Sequence, residues 1–421
     1  MTSRERVLSA INHNEPDKVP VDLGSNPSSG ISAIAYGNLI DKLGWGHLPI
    51  KVYDVVQQLA EPADEIIELF GIDVLDLGRT FNTNPSDWQP TTLANGREAL
   101  YPAWFNPEKN DEGEYFARND SGEIIAKMPH KGTFFDQTVF PWIDGYQANN
   151  DTLDEAMSLV LWQAFAHSPW DKAGEQGFWE KLRSNTIKLR EESGKAVMMV
   201  AGCNLFEWGT FIRRMDNFLM DLHLERSNVE MMLDGFVERH LKSLQKICET
   251  VGDVADIIRF GDDLGMINGP FMDPQTYRDI FKSRHKIMTD YVKKHSKMKI
   301  FIHSCGSIYQ LIPDILEAGF EILNPVQTNC RDMDPVNLKK EFGRDATFWG
   351  GGIETVGVLN KGTTEDVRRQ TLERLEIFSK GGGFVFNPVH NILPEVPPEN
   401  IIAMFNAVKE FNGDLRSGKT I

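Results

Sequence analysis

The chain alternates short apolar runs with longer segments that have the periodicity of helices. Each run is rich in β-branched or aromatic residues and ends in glycine or polar residues. Eight such runs can be identified, at 18–24, 73–78, 196–202, 256–263, 298–306, 320–326, 346–352 and 383–389. Strands of a parallel sheet that is buried on both faces produce continuous apolar runs, and the intervening helices are the crossovers that they require. Eight strands predict a (β/α)8 TIM barrel, since that number closes the fold.

Residues at the helix ends support this assignment. Asp273–Pro274 and Asp334–Pro335 each combine a side-chain acceptor for free backbone N–H groups with a proline where no donor is needed. Thr363 and Asp366 predict another helix start, and Gly381–Gly383 predicts the end of that helix.

One long segment, at about 80–195, interrupts the alternation after the second strand. Asn119–Gly122 lies within an alternating stretch and predicts a β-hairpin, and helical segments follow it. The segment carries six tryptophans, Trp88, Trp104, Trp142, Trp162, Trp170 and Trp179. Two interpretations stay open: a decoration with its own small core, or a lid or aromatic wall over the active site. We expect residues 1–421 to form one barrel domain that carries this insertion.

Composition narrows the possible functions. The chain has 421 residues, of which 41% are hydrophobic and 25% charged, as in ordinary globular proteins. No apolar run is long enough to span a bilayer, and the charged N-terminus is unlike a secretory signal, so we expect a cytoplasmic protein without membrane contact. Four scattered cysteines indicate reduced thiols. The formal net charge of −17 disfavours nucleic-acid binding. It also disfavours a highly anionic substrate without a local basic pocket, and the sequence contains no evident basic cluster.

Polar residues gather directly after the apolar runs. In an eight-stranded barrel these positions surround one mouth, where catalytic residues collect. From this set we predict the following catalytic residues: Asp22, Glu207, Asp262 and Asp263. We predict the following substrate-binding residues: Asp76, Asn204, Asn324, Gln327 and Asn387. For Asp262 and Asp263 the alternative is a structural role, in which the adjacent acids cap the next turn.

His303 and Cys305 form the most specific local motif. If both continue the strand, alternation puts them on the same side, where an imidazole nitrogen and a thiolate sulfur begin a zinc site. A third ligand has to come from another strand end, and we predict His390. The alternatives for this ligand are Cys203, Glu207, Asp262 and Asp263. The simpler interpretation is that Cys305 is a small buried hydrophobic residue.

Three segments resemble the uroporphyrinogen decarboxylase-like superfamily. They are RERVLSAINHNEPDKVPVDLG, HSCGSIYQLIPDILEAGFEILNPVQ and GGGFVFNPVHNILPEVPPENI. The resemblance covers nearly the whole chain and is weakest at 80–195. It implies a (β/α)8 barrel and a homodimer. One branch of the superfamily contains decarboxylases that need no cofactor and carry an arginine-rich segment after the first strand. Residues 22–27 of this chain contain no arginine, although His390 falls on the histidine of the decarboxylase ending.

The other branch contains zinc-dependent methyltransferases that work with corrinoid proteins. Their zinc ligands are His-x-Cys and a later Cys, which His303 and Cys305 match and which His390 replaces at the third place. The resemblance therefore implies a zinc-assisted transfer of a methyl group between a small substrate and a corrinoid on a separate partner protein.

Two alternatives to methyl transfer remain. The first is a cofactor-free decarboxylase acting on a carboxylated ring compound, with Asp22 or Asp76 stabilising a protonated intermediate and His390 binding a carboxylate. The second is a non-catalytic binding protein on the same barrel.

Overall fold

A parallel sheet of seven strands forms most of a curled barrel wall. The computed structural model describes residues 1–414 of the chain. In spatial order the strands are Val74–Asp76, Ala196–Gly202, Ile257–Gly261, Lys299–His303, Ile322–Asn324, Thr347–Trp349 and Phe384–Val385. Each strand pairs in parallel with the next, as the continuous apolar runs predict.

The segment around Val21 closes the ring between the last and first strands of this sheet. On one side the Phe386 N–H donates to the Pro20 carbonyl at 2.8 Å, and the Asp22 N–H donates to the Phe386 carbonyl at 2.9 Å. On the other side the Asp73 N–H donates to the Val21 carbonyl at 2.8 Å. This segment is the predicted first strand, and the predicted (β/α)8 barrel is confirmed.

Helices and short accessory strands surround the barrel. The α-helices are Ser3–Ile11, Ala33–Lys42, Asp64–Phe70, Leu153–Ser158, Leu161–Ala164, Phe178–Ser193, Phe206–Arg213, Met215–Leu224, Arg226–Val251, Pro274–Tyr277, Ser283–His295, Ile312–Glu317, Pro335–Phe342, Thr364–Phe378 and Pro398–Phe411. Short 3-10 helices are Leu77–Thr80, Pro85–Asp87, Trp170–Lys172 and Tyr309–Leu311, and π-helical turns are Arg278–Lys282 and Thr355–Leu359. Accessory strands outside the insertion are Ile31–Ser32, Val52–Asp54, Leu59–Ala60, Gly265–Met266 and Gly269–Pro270. In residues 1–414 no helix combines the length and apolarity needed to cross a membrane.

The predicted helix starts are confirmed. The Asp273 side chain accepts from the backbone N–H groups of Gln275 and Thr276, and the Asp334 side chain accepts from that of Asn337. Thr363 and Asp366 form a reciprocal capping box. These contacts satisfy donors that the first helical turn leaves free.

The barrel interior changes from apolar to polar along the strands. Its lower part is an apolar cluster that the N-terminal helix closes with Val7 and Ile11. The strand residues of this cluster are Val74, Ala196, Met198, Ile257, Phe301, Ile322, Trp349 and Val385. A strand has a side-chain period of two, so the residue two positions further along faces the same side. At those positions five strands carry polar residues, Asp76, Arg259, His303, Asn324 and Asn387.

The insertion after the second strand contains antiparallel strands and an aromatic cluster. Its strands are Trp88–Thr92, Glu98–Pro102, Glu108–Lys109, Tyr115–Arg118, Ile124–Met128 and Asp136–Gln137. The strands on either side of Asn119–Gly122 pair with each other, so the hairpin expected there is present. The insertion also contacts the barrel, because the Trp170 Nε1 donates to the Val200 carbonyl at 2.8 Å. The insertion therefore has aromatic packing of its own and also packs against the barrel wall beside the strand Ala196–Gly202.

Candidate metal centre and surrounding site

His303, Cys305 and His390 meet at the mouth of the barrel. One nitrogen or sulfur atom of each lies within 4.8 Å of the others. The His303 Nε2 and the Cys305 Sγ are 3.4 Å apart, and the rings of His303 and His390 have centroids 5.2 Å apart. A tetrahedral zinc with bonds of about 2.0 to 2.3 Å separates neighbouring ligand atoms by roughly 3.5 Å. The 3.4 Å between the His303 and Cys305 donor atoms matches this spacing, and no other donor separation in the cluster exceeds 4.8 Å.

The orientation of His303 is fixed by Asn324 on the neighbouring strand. The Nδ1 of His303 lies 2.6 Å from the Oδ1 of Asn324, while the Asn324 Nδ2 donates to the Trp349 carbonyl at 2.8 Å. Because the carbonyl contact assigns the amide orientation, Oδ1 is the acceptor and the Nδ1 of His303 carries the proton. The Nε2 of His303 therefore presents its lone pair to the cluster, as a metal ligand requires.

Both histidines of the cluster are in the neutral form that binds metals. Burial lowers the pKa of His303 to about 3, and burial together with His303 lowers the pKa of His390 to about 3. His390 has a backbone φ of 68°, which is uncommon for a residue with a side chain. Such strain is typical of functional sites, where the surrounding structure holds it in place.

Asp263 fixes the loop that carries Cys305. The Cys305 N–H donates to the Asp263 Oδ1 at 2.8 Å, and the same oxygen lies 3.5 Å from the Nε2 of His303. Burial raises the pKa of the Cys305 thiol well above its usual value. A bound metal stabilises the thiolate instead. Two neutral imidazoles and one thiol form a donor set that fits zinc, with a fourth position left for a substrate atom.

Glu207 lies beside this centre as an uncharged acid. Burial raises its pKa to about 8, and the nearby Asp263 and Asp262 contribute to the shift. Its carboxyl accepts from the Asn204 Nδ2 and, at 3.2 Å, from the Asp263 N–H. A carboxylic acid that is still protonated near neutral pH can act as a proton donor.

Asp262 has structural partners on both of its oxygens. They accept from the backbone N–H groups of Leu205, Phe206 and Glu207 at distances of 2.9 to 3.1 Å, and Oδ2 also lies 3.1 Å from the Nε2 of His285. Asp262 thus caps the start of the helix Phe206–Arg213 from a neighbouring strand. Asp262 therefore has a structural role, although it caps a helix start earlier in the chain and not the next turn, and its catalytic role stays a prediction. Asp263 faces the cluster.

Asp22 and Asp76 lie in the barrel interior, on the side of the first two strands. Asp22 accepts from the Trp349 Nε1 at 2.8 Å and from the Ser25 hydroxyl at 2.8 Å, and burial raises its pKa to about 6. Burial raises the pKa of Asp76 to about 7, and His167 of the insertion counteracts this shift. Both acids therefore titrate near neutral pH inside the barrel.

The remaining predicted substrate-binding residues have different surroundings. The Asn387 Nδ2 contacts the Asp22 carbonyl at 3.4 Å, and its Oδ1 is buried without a partner in residues 1–414. Gln327 accepts from the Gly306 N–H at 2.8 Å and so supports the loop after Cys305. Asn204 and Asn324 contact Glu207 and His303, as described above. Of this group, only Asn387 has a free buried acceptor inside the barrel, while Asn324 and Gln327 hold the metal cluster in position.

A family model described as uroporphyrinogen decarboxylase (URO-D) matches residues 198–411, slightly more than half of the chain. The chain belongs to the URO-D family. Curated relatives match this chain over shorter stretches. A uroporphyrinogen decarboxylase of Legionella pneumophila (strain Corby) is 27% identical over 145 residues, which are 34% of this chain and 39% of the relative. One of Pseudoalteromonas translucida (strain TAC 125) is 47% identical over 51 residues, 12% of this chain and 14% of the relative. The chain thus spans well under half the length of these relatives.

A solved structure extends the comparison to almost the whole chain. A methyltransferase from Methanosarcina mazei covers 98% of this chain, and 99% of that protein is covered, with a TM-score of 0.55 and 19% sequence identity. At this level of identity the likeness shows a shared barrel fold. The matched region also extends over the insertion, which the family model does not reach.

Sequence patterns did not identify three further polar residues near the mouth, Arg259, Tyr53 and Ser28. Arg259 is the only basic residue within the apolar run 256–263, and that contrast was an available signal. Its Nη2 donates to the Ser28 hydroxyl at 2.8 Å across the barrel. Tyr53 lies in a short accessory strand, Val52–Asp54, and no sequence pattern connects it with the barrel mouth.

Proposed function

We propose that this protein is a zinc-dependent methyltransferase that moves a methyl group between a small substrate and a corrinoid on a separate partner protein. The observation that carries the proposal is the cluster of His303, Cys305 and His390, with Asn324 orienting His303. A carboxy-lyase without a cofactor has no evident need for two neutral imidazoles and a thiol directed at one point. A methyltransferase that activates a heteroatom on a metal does need them.

The side chains around the cluster have separate tasks in this proposal. A bound zinc ion would supply Lewis acidity to the heteroatom that gains or loses the methyl group. Asn324 keeps the proton of His303 on Nδ1, and Asp263 holds the backbone of Cys305. Glu207 holds a proton near neutral pH and donates it to a leaving heteroatom. The corrinoid protein approaches the same barrel mouth, and a homodimer is the expected assembly.

Metal analysis of variants tests the proposal directly. The purified chain should contain about one zinc per molecule, and His303→Ala, Cys305→Ser and His390→Ala should each lose most of it. Cys330→Ser is a matched control, because Cys330 is a buried thiol that is not part of the cluster. Methyl transfer should be followed by the absorbance of methylcobalamin with candidate acceptors. Zinc content and transfer that survive all three cluster substitutions would remove the proposal.

A uroporphyrinogen decarboxylase activity is the second candidate. It is favoured by the family match and by Asp22 and Asp76, two buried acids with pKa values of about 6 and 7 inside the barrel. The absence of arginine from residues 22–27 argues against a substrate with many carboxylates. Release of carbon dioxide from uroporphyrinogen that is unaffected by zinc removal would favour this candidate over methyl transfer.

A further inference from the structure

Arg259 brings a positive charge into the barrel and forms no ion pair with any of residues 1–414. Its Nη2 donates to the Ser28 hydroxyl, and its Nε is shielded from solvent and has no hydrogen-bond partner among residues 1–414. An arginine side chain remains charged in proteins, and a buried charge is costly unless it is paired. The Glu207 and Asp263 carboxyl groups are near enough to affect its pKa, but neither forms an ion pair with it among these residues. The guanidinium is therefore available for an external anion.

Two hydroxyl groups accompany this guanidinium. The Tyr53 hydroxyl is buried and has no partner among residues 1–414, and its side chain is 8% exposed. Tyr53 and Arg259 are close enough that an ionised phenol would raise the pKa of the guanidinium. Ser28 is 3% exposed and accepts from Arg259, so its own hydroxyl proton remains free to donate. Three donor side chains are thus associated: the Arg259 Nε and the Tyr53 hydroxyl have no partner among residues 1–414, and the Ser28 hydroxyl proton is not used by the contact with Arg259.

The loop that carries Ser28 is held in a fixed conformation. The Ser28 N–H donates to the Asn26 Oδ1 at 2.9 Å, and the Gly30 N–H donates to the Asn391 Oδ1 at 2.7 Å. Asn391 also donates to the Pro27 carbonyl at 2.9 Å. Donors held in place before a ligand arrives lose little entropy when it binds. These contacts are typical of a prepared binding site.

Strand register puts this donor group one layer below the metal cluster. Gly261 pairs with His303, and Arg259 pairs with Phe301. Arg259 and Gly261 face the same side and lie about 6.6 Å apart along the strand. A ligand that reaches the metal cluster with one end can therefore place its other end near Arg259 across a short linker.

We propose that Arg259, Tyr53 and Ser28 bind a carboxylate of the substrate in the barrel mouth. The carboxylate is the buried end of the molecule, and the methyl-bearing heteroatom faces His303, Cys305 and His390. This inference deepens the proposed function. It rests on that function only for placing the methyl-bearing heteroatom of the substrate at the metal cluster. It also refines the expectation from composition, since one partly buried arginine recognises one anionic group and not a polyanion.

Paired carboxylates and carboxamides test this site. The probes are 3-methoxypropionate and 3-methoxybenzoate, each titrated calorimetrically beside its carboxamide into the zinc-loaded full chain. We expect at least one carboxylate to bind about tenfold more tightly than its amide. Arg259→Gln should reduce that ratio to about one and leave the zinc content unchanged. Tyr53→Phe and Ser28→Ala should each reduce it by roughly threefold, and they serve as the test if the Arg259 variant does not fold.

Arg331→Gln is the matched control for charge. Arg331 lies in the loop after the strand Ile322–Asn324, at the same end of the barrel, and its side chain is 69% exposed. The variant should keep the preference for carboxylate, because it alters the general field without touching the donor group. No preference in the unmodified chain, no detectable binding of either carboxylate, or a preference that persists in Arg259→Gln would overturn the inference.

Repeating the titrations after removal of zinc separates this inference from the proposed function. A preference for carboxylate that depends on Arg259 but not on zinc supports the anion site even if the methyltransferase proposal fails. A chain that binds zinc through the three predicted ligands but does not distinguish acid from amide keeps the proposed function and removes the anion site.

Discussion

His303 and Asn324 lie on neighbouring strands and are joined by a contact of 2.6 Å between Nδ1 and Oδ1. The Asn324 amide is in turn held by the Trp349 carbonyl. These two contacts together fix the tautomer of His303, which is a member of the metal cluster. Histidine ligands of metals commonly have such a partner, and its loss typically weakens metal binding.

We expect Asn324→Leu to lower zinc affinity by about 10- to 100-fold while the barrel remains folded. The His303 ring then loses the acceptor that orients it. The measurement is competition for zinc with a chromophoric chelator, with circular dichroism as the check on folding. Asn149→Leu is the control, because Asn149 is exposed and lies in the insertion. Equal zinc affinity in Asn324→Leu and the unmodified chain would show that the contact with Asn324 is not needed to orient His303 for zinc binding.

Asp262→Ala should destabilise the fold more than the loss of an ordinary helix cap does. Three backbone N–H groups and His285 lose their acceptor in the protein interior. We expect a loss of about 3 kcal/mol in the free energy of unfolding, measured with urea. The exposed cap Asp273→Ala should cost about 1 kcal/mol. If Asp262→Ala unfolds as easily as the Asp273 variant but abolishes methyl transfer, then Asp262 is a catalytic residue after all.

Glu207 should make the metal-free chain less stable as the pH rises from about 4.5 to about 8. Its pKa is raised from the usual 4.5 to about 8 in the folded chain, mainly by burial. Over this interval the folded state keeps a proton that the unfolded state releases, so the stability that this group contributes at low pH is progressively lost. Urea unfolding between pH 5 and pH 9 measures the effect. Glu207→Gln should flatten this part of the profile, whereas the exposed Glu191→Gln should leave it unchanged. A profile of the same slope in Glu207→Gln would contradict the assignment.

Gly306→Ala should disrupt the loop after Cys305, and Gly122→Ala provides a control with the same backbone angle. Both glycines have a φ of +83°, which disfavours a side chain. A Cβ on Gly306 would lie 2.3 Å from backbone atoms of Gly265, while one on Gly122 would meet nothing within 4 Å. We expect Gly122→Ala to cost about 1 kcal/mol of stability and Gly306→Ala to cost clearly more and to weaken zinc binding. Similar losses in both variants would mean that the loop can move away from Gly265.

Sequence patterns were sufficient for the barrel. All eight apolar runs form strands or, around Val21, the segment that closes the ring, and the caps at Asp273, Asp334 and Thr363 are where they were expected. These features depend on local chemistry: side-chain period, burial on both faces of a parallel sheet, and free donors at helix starts. For the same reason the sequence identified His303 and Cys305 as residues that share one side of a strand.

Other features depend on which strands become neighbours. The sequence left the role of Asp262 open between catalysis and capping, and the helix start at Leu205–Glu207 lies more than fifty positions earlier in the chain. The sequence did not indicate a role for Arg259, because it lies within an apolar run and its hydrogen-bond partner Ser28 is 231 positions away. The sequence determined the strands, their inward faces and the two adjacent metal donors, because these follow from local periodicity. The tertiary structure alone decided that Asp262 caps a distant helix start, that the predicted His390 and none of its alternatives joins the cluster, and that Arg259 has no ion pair among residues 1–414. Closure of the ring brings these distant side chains together, which local periodicity does not specify.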